Sequence, residues 1–427
     1  MITVNFFLDN KVFSYMDCST VLESNPGIGG TEWLILVVST LLSTKDNGIA
    51  VKLLATSDGR FPAELKYEKV KDLKDAIIRS SKDDYLVFKH DVDNIYSDIL
   101  HSNSTRLKLI CWCHVFVCQW ELDYYADNKD IWKIVYVGRE MYDLYRDHRS
   151  FYKSCYIYNC VPLRNSRDLV KTYPRSKRNN NVVYMGNLVP FKGFHILAEA
   201  WPKVVERVPD AHLYVIGSGR LYRKYAQLGT YGIAEESYEN RFIRYLSKDG
   251  RINDNVHFLG VMGNEKKDIL IKAKVGVPNP SGITETFCIC AVEMQQYGAT
   301  VTTVNFPGYL DTVKNGSLIT RKDSLAESIV NLLQSDEDHY DMAMDYFENN
   351  FSYEHIAELW RQLLIDGNPF MSKNIPNLSY RLKWMKEVCR IIKTVLPLFN
   401  RLPILERLLI YFERMKYGKT TYIDSYF

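Results

Sequence analysis

The chain has 427 residues, 46% hydrophobic and 25% charged, with 54 Lys and Arg against 51 Asp and Glu and a formal charge of +3. These values describe an ordinary globular protein long enough for two domains, and they exclude disordered and fibrous chains. So small a charge, with no recognisable nucleic-acid module, also excludes nucleic acid as a partner.

The opening run ITVNFFLDN is strand-length and apolar, without a basic leader or cleavage site, so it reads as a strand and not as a signal peptide. No stretch reaches the roughly 18 uninterrupted apolar residues of a transmembrane helix. Nine cysteines, odd in number and without C-x-x-C pairs, read as small hydrophobes in a reducing cytoplasm, not as zinc ligands.

Strands are expected at Thr3–Leu8, Ala50–Ala55, Tyr85–Phe88, Leu107–Trp112, Ile134–Val137 and Cys155–Tyr158. A helix is expected over Thr31–Leu42, entered from Gly27-Ile28-Gly29-Gly30, where glycines let an anion approach the helix's N–H groups. Residues 168–181 turn polar and basic without a hydrophobic period and read as a linker. A second series follows, with strands at Asn181–Met185, His212–Ile216, Val256–Leu259, Val275–Pro278 and Thr300–Val304. Helices fit Ile196–Arg207, Lys266–Lys272, Cys288–Tyr297 and Leu325–Leu333. Alternation of this kind predicts an α/β protein made of two Rossmann-like domains facing a cleft, with ligand outside the carboxyl ends of the strands. The domains divide as 1–167, the linker 168–181, 182–345, a returning helix at 346–374, and a tail at 375–427.

The tail has its own character. Residues 378–419 hold ten Lys or Arg against three Glu. Leu382, Trp384, Met385, Val388, Ile391, Ile392, Val395 and Leu396 recur among them at helical spacing. A basic amphipathic helix of this composition fits an anionic membrane surface. Packing against its own domain or a partner, with Lys and Arg on the wet side, fits the pattern equally.

The segment PNPSGITETFCICAVEMQQY (278–297) places Glu285 and Glu293 eight residues apart behind a small-residue loop. Glu285 is expected at a helix mouth and Glu293 two turns inside, on the order of 12 Å away. That is too far to share a proton, but it suits two ends of an extended ligand. An N-capped helix with two polar-face carboxylates fits equally well.

With Pro307-Gly308 after it, this E-x7-E segment resembles the donor-binding signature of family 4 glycosyltransferases, retaining enzymes of GT-B fold that use nucleotide sugars. Three further segments match that family in order. They are Gly29-Gly30-Thr31-Glu32, then Tyr184-Met185-Gly186-Asn187-Leu188 with Lys192-Gly193, and then Val215-Ile216-Gly217-Ser218-Gly219. The resemblance covers residues 29 to about 316 and implies a metal-independent enzyme without a cofactor, akin to bacterial surface-polysaccharide and lipopolysaccharide glycosyltransferases.

Carried onto this chain, the resemblance implies that Lys192 neutralises the donor diphosphate, the task such chemistry requires of a cation. Glu285 accepts hydrogen bonds from the sugar, Glu293 binds the ribose, and His114, beyond the run LKLICWC, faces the sugar or leaving phosphate. Gly29, Gly30, Gly217, Gly219, Val261, Thr286 and Phe287 complete the expected donor site. Asn187 stands where the family has an arginine, which removes a bidentate phosphate fork, and Arg220 is the candidate replacement. Phe287-Cys288 stands where Phe-Gly is usual. Asp91-Val92-Asp93 is not read as a metal motif, because D-x-D belongs to the other glycosyltransferase fold. The expected partners are a nucleotide sugar, a glycan or lipid-linked acceptor, and an anionic membrane surface through 378–419, on the cytoplasmic side. A nucleotide-sugar epimerase and a nucleotide-sugar-binding protein without turnover remain as alternatives.

Overall fold

The computed structural model describes residues 1–44, 48–163, 166–219, 227–369, 382–406 and 408. Two compact units appear: residues 1–162 together with the described residues from 350 onward, and residues 163–349.

In the first unit seven strands form one parallel sheet: β1 (Ile2–Leu8), β2 (Ile49–Ala55), β3 (Tyr67–Lys69), β4 (Tyr85–Lys89), β5 (Lys108–Cys113), β6 (Ile131–Tyr136) and β7 (Ser154–Tyr156). Their order is β3-β2-β1-β4-β5-β6-β7, every neighbouring pair parallel. The strand order reverses between β1 and β4. The helix Gly30–Ser43 is apolar on nearly every face and is buried from Trp33 to Thr40. It fills the space between the sheet and the helix Tyr353–Asp366, which packs on it.

The second unit repeats the plan with β8 (Asn181–Met185), β9 (His212–Ile216), β12 (Val256–Gly260), β13 (Val275–Gly276), β14 (Thr300–Val304) and β15 (Gly316–Ile319). The order is β12-β9-β8-β13-β14-β15, again all parallel. Between β9 and β12 lies a small antiparallel pair, β10 (Ser247–Lys248) and β11 (Arg251–Ile252). In the helix Phe194–Arg207, Phe194, Leu197, Ala198, Trp201 and Val204 share one face and bury it, the spacing of an amphipathic helix. The helix Leu325–Gln334 joins it in the same core. Such a sheet opens its ligand crevice where the strand order reverses, here between β8 and β13.

Segment 168–181 is ordered within the second unit as the end of the helix Ser166–Thr172 and a 3-10 turn at Arg175–Lys177. Its cations explain why. Arg175 donates to the carbonyl oxygens of Ser335 and Lys274 and to Thr300 Oγ1, and Arg178 donates to those of Tyr173 and Ala273. Two cations of the expected linker, Arg175 and Arg178, are therefore buried guanidinium clamps.

The tail differs in its polarity. The helix Lys383–Val395 packs on the first unit through its cations, not its apolar residues. Lys386 donates to the Asp143 carbonyl oxygen at 2.7 Å and contacts Glu406; Lys393 donates to Asp147 Oδ2 at 2.8 Å. Lys386 is 0% exposed and Lys393 3%. Buried acidic and carbonyl oxygens from 143–147 overrule the hydrophobic pattern. Among the described residues no helix is long and apolar enough to cross a membrane.

Candidate active site

The carboxyl ends of β8 and β13 carry the two loops that matter in the second unit. After β8 the chain runs through Gly186 and Asn187 to a 3-10 turn at Pro190–Lys192, closed by Gly193 in the left-handed region (φ 67°). Tyr184, buried within β8, holds this loop by donating its hydroxyl to the carbonyl oxygens of Lys192 (2.9 Å) and Asn187 (3.3 Å). A Cβ on Gly193 would stand 2.6 Å from the Ser281 nitrogen, so only glycine lets this turn lie against the loop after β13.

That second loop, 279–287, is fastened from within. Asn279 accepts from Ser281 N at 3.0 Å and donates to the Ile283 carbonyl oxygen and to Glu285 Oε1, at 3.1 and 3.0 Å. Tyr309 donates its hydroxyl to the Asn279 carbonyl oxygen at 2.7 Å. Thr284 is exposed at φ 66°, a conformation that costs a β-branched residue about 1–3 kcal/mol and is found mostly where function requires it. A Cβ on Gly308 would stand 2.4 Å from the Glu285 carbonyl oxygen, which accounts for the glycine of the Pro-Gly pair.

Across the two loops Lys192 Nζ donates to Glu285 Oε1, an oxygen shared with Asn279. The carboxylate is almost fully buried and the lysine about four-fifths buried. Beside them Asn187 is buried, and among the described residues neither its amide nitrogen nor its amide oxygen has a hydrogen-bond partner. Leaving such a group unsatisfied costs about 1–3 kcal/mol. Thr286 and Phe287 are buried behind Glu285. Cys288 caps the next helix, its thiol 3.2 Å from that of Cys290, and burial pushes the Cys288 thiol well up, so it stays a neutral filler.

The helix itself runs Ile289–Gln296, so Glu285 lies in the preceding loop and not on the first turn. The expected 12 Å helical rise therefore does not apply, because three loop residues intervene. Glu293 is on the helix and pairs with Lys266 at 2.8 Å. Lys266 was not anticipated; its signal is only its position six residues after the end of β12. Gly260 turns at φ 71° and leaves Val261 60% exposed beyond the strand end.

Gly217, at the end of β9, has φ 142°, and a Cβ there would lie 1.9 Å from the Gly186 carbonyl oxygen. Gly219 is similarly confined by Ala234, 2.7 Å from its would-be Cβ. Glu239, also unanticipated, is buried and accepts from the nitrogens of Tyr231, Ile233 and Ala234 at 2.8, 2.7 and 3.2 Å, shaping the loop against Gly219. Arg220 lies outside the described residues.

The remaining expected residues belong to the first unit. Gly29 caps the helix Gly30–Ser43 through its backbone, and Glu32 in the first turn pairs with Lys89, at the end of β4, at 2.5 Å. His114 follows β5, its ring 4.6 Å from Trp112. Burial, with a smaller contribution from Lys89, pushes its imidazole down to about 3, so the ring is neutral at physiological pH and suited to hydrogen bonding, not to carrying charge. Asp91 is the N-cap of a short helix, accepting from Asp93 N at 3.0 Å.

Chemically, the second unit offers a cation able to meet a phosphate, a carboxylate able to accept from hydroxyls, and an unpartnered amide, all at the strand-order reversal. Residues 166–350 match the family described as glycosyl transferases group 1. No curated protein sequence matches the chain. Anabaena HepE, solved in complex with UDP, has a TM-score of 0.60 at 15% identity, over 86% of this chain and 100% of that one. A glycosyltransferase from Rickettsia africae gives 0.59 at 12%, over 86% and 98%. Staphylococcus aureus TarM gives 0.51 at 16%, over 69% and 57%. The fold is therefore that of GT-B glycosyltransferases, with the group 1 glycosyltransferase match falling on the second unit.

Proposed function

We propose that this protein is a retaining, metal-independent glycosyltransferase. It moves a hexose-type sugar from a nucleotide-sugar donor to a glycan or lipid-linked acceptor, in surface polysaccharide or lipopolysaccharide synthesis. The observation that carries the reading is the Lys192–Glu285 pair beside the unpartnered, buried Asn187 amide. A diphosphate entering there exchanges Lys192's carboxylate partner for phosphate oxygens and gives Asn187 the acceptor it lacks.

Charge then governs the reaction. As the glycosidic bond breaks, negative charge grows on the leaving diphosphate, and Lys192 stabilises it where solvent is largely excluded. Glu285, released from Lys192, accepts hydrogen bonds from the hydroxyls of the sugar, and Glu293 accepts from the ribose hydroxyls while keeping Lys266. A neutral His114 hydrogen-bonds the donor sugar or leaving phosphate, and the incoming acceptor hydroxyl gives its proton to that phosphate on the same face. Gly29, Gly30, Gly217 and Gly219 let backbone approach the donor. HepE was solved with UDP, which makes UDP-sugars the first donors to try.

The test is nucleoside diphosphate release from UDP- and GDP-hexoses with glycan and lipid-linked acceptors, and proton NMR of the product's anomeric configuration. Release that depends on Lys192 and Glu285, with the donor's configuration kept, is the expected result. Binding without release for any acceptor would leave a nucleotide-sugar-binding protein, and an inverted product would overturn retention.

A further inference from the structure

The helix Lys383–Val395 wears its polarity inside out. Its cations are the anchored side: Lys386 and Lys393 are buried on Asp143, Glu406 and Asp147, and Arg390 donates to the Arg146 carbonyl oxygen and lies over the Phe151 ring. The opposite arc is apolar and open. Trp384 is 76% exposed, Ile391 59% and Val395 69%, with Met385 and Val388 exposed beside them. At 100° per residue these five share one third of the circumference, and no charged residue falls between them. The apolar surface continues past the helix to Leu398, 82% exposed in the 3-10 turn Pro397–Arg401.

We propose that this face seats in the surface of a lipid bilayer, binding by apolar insertion and not by cation attraction. Three features select that occupant. First, the arc carries no charged side chain with which to recognise a polar or charged ligand. Second, the face is small: thirteen residues span about 20 Å, and a strip about 10 Å wide covers on the order of 200 Å², against roughly 800 Å² per partner in a stable protein interface. A helix lying in an interface needs only that strip. Third, exposed aromatics lie close to the turn that follows it. Gln119 donates to the carbonyl oxygens of Asn400 and Leu402 at 2.9 and 2.8 Å, setting the start of the helix Gln119–Asp127 against the turn. The next residue, Trp120, is exposed with its ring 5.1 Å from that of exposed Tyr96. Trp and Tyr in such positions favour the boundary between headgroups and acyl chains. The inference stands on this helix and does not depend on the transferase reading.

Flotation of the full chain tests it, with vesicles of phosphatidylcholine alone and with vesicles carrying added phosphatidylglycerol. The protein is expected to float with both and to stay bound at about 1 M salt, where screening acts within about 3 Å. Ile391→Ser combined with Val395→Ser should lower binding about tenfold or more, by loss of two inserted side chains, without moving the thermal unfolding midpoint. Flotation with anionic vesicles alone, reversed by salt, would overturn the proposal in favour of cation binding. Failure to float with either vesicle would also overturn it, as would a dimer in sedimentation that the double substitution dissociates.

Discussion

Lys393 donates to Asp147 at 2.8 Å with both side chains almost wholly excluded from solvent, and this contact fixes which face of the C-terminal helix meets water. Asp147 Oδ2 accepts from Leu405 N as well, at 3.0 Å, so one carboxylate ties helix and following turn to the first unit. Lys393→Met strands that carboxylate and should cost about 3–5 kcal/mol in urea unfolding. Replacing both partners, Lys393→Met with Asp147→Leu, should recover most of the loss. A single substitution as mild as an exposed one would mean that the helix is held by something else.

Gly217 and Gly30 should part company when each is changed to alanine. At Gly217 a methyl group meets the Gly186 carbonyl oxygen in a backbone conformation that disfavours side chains, a cost of about 1–3 kcal/mol or more. At Gly30 nothing lies within 4 Å of the added carbon, so stability should change by under about 0.5 kcal/mol. If Gly30→Ala still slows transfer while thermal unfolding is unmoved, its role is approach of backbone to ligand. Equal destabilisation at both sites would contradict the geometry.

His114 makes the stability of the protein acid-sensitive, and the sign follows from its burial. In the unfolded chain an imidazole takes its proton near 6.5, whereas burial holds this one at about 3. Its stability contribution is thus full above 6.5 and is lost as pH falls from there towards 3. His114→Asn should flatten that part of the urea-midpoint profile between about pH 6.5 and 4. The activity profile of the wild type should show no inflection near 6.5 from this residue.

Glu239 shapes the loop beside Gly219 through three backbone donors. Glu239→Ala leaves three donors, two of them buried, without an acceptor and should destabilise the protein by about 2 kcal/mol or more. Because the loop abuts Gly219, donor KM should rise more than kcat falls. Steady-state kinetics on the folded fraction checks the split.

Much of this was legible in the sequence because it rests on local pattern. Asn181–Met185, His212–Ile216 and Thr300–Val304 are strands to the residue, since buried parallel strands read as short runs rich in β-branched and apolar residues. The edge strands were not legible: Tyr-Glu-Lys at 67–69 is short and polar, and Gly-Ser-Leu-Ile at 316–319 opens on a glycine. Lys192 and Glu285 could be singled out from motif spacing, but their mutual pairing, 93 residues apart, is a tertiary fact. Lys266 and Glu239 gave no signal, because a lysine after a strand and a glutamate on a helix are commonplace until their partners are seen. The C-terminal helix shows the limit of periodicity. Its pattern reveals two faces, and the Asp143 carbonyl oxygen with the carboxylates of Asp147 and Glu406 decides which one is buried.

The central claim is that the second unit's strand ends hold a nucleoside diphosphate, and thermal unfolding with UDP tests it most directly. At a hundred times its dissociation constant the ligand should add about 2.7 kcal/mol to the wild type. Lys192→Met and Glu293→Ala should remain folded and lose most of that gain. If UDP and the other nucleoside diphosphates leave the wild type unmoved, or stabilise both variants as much as the wild type, the site is not where these residues place it.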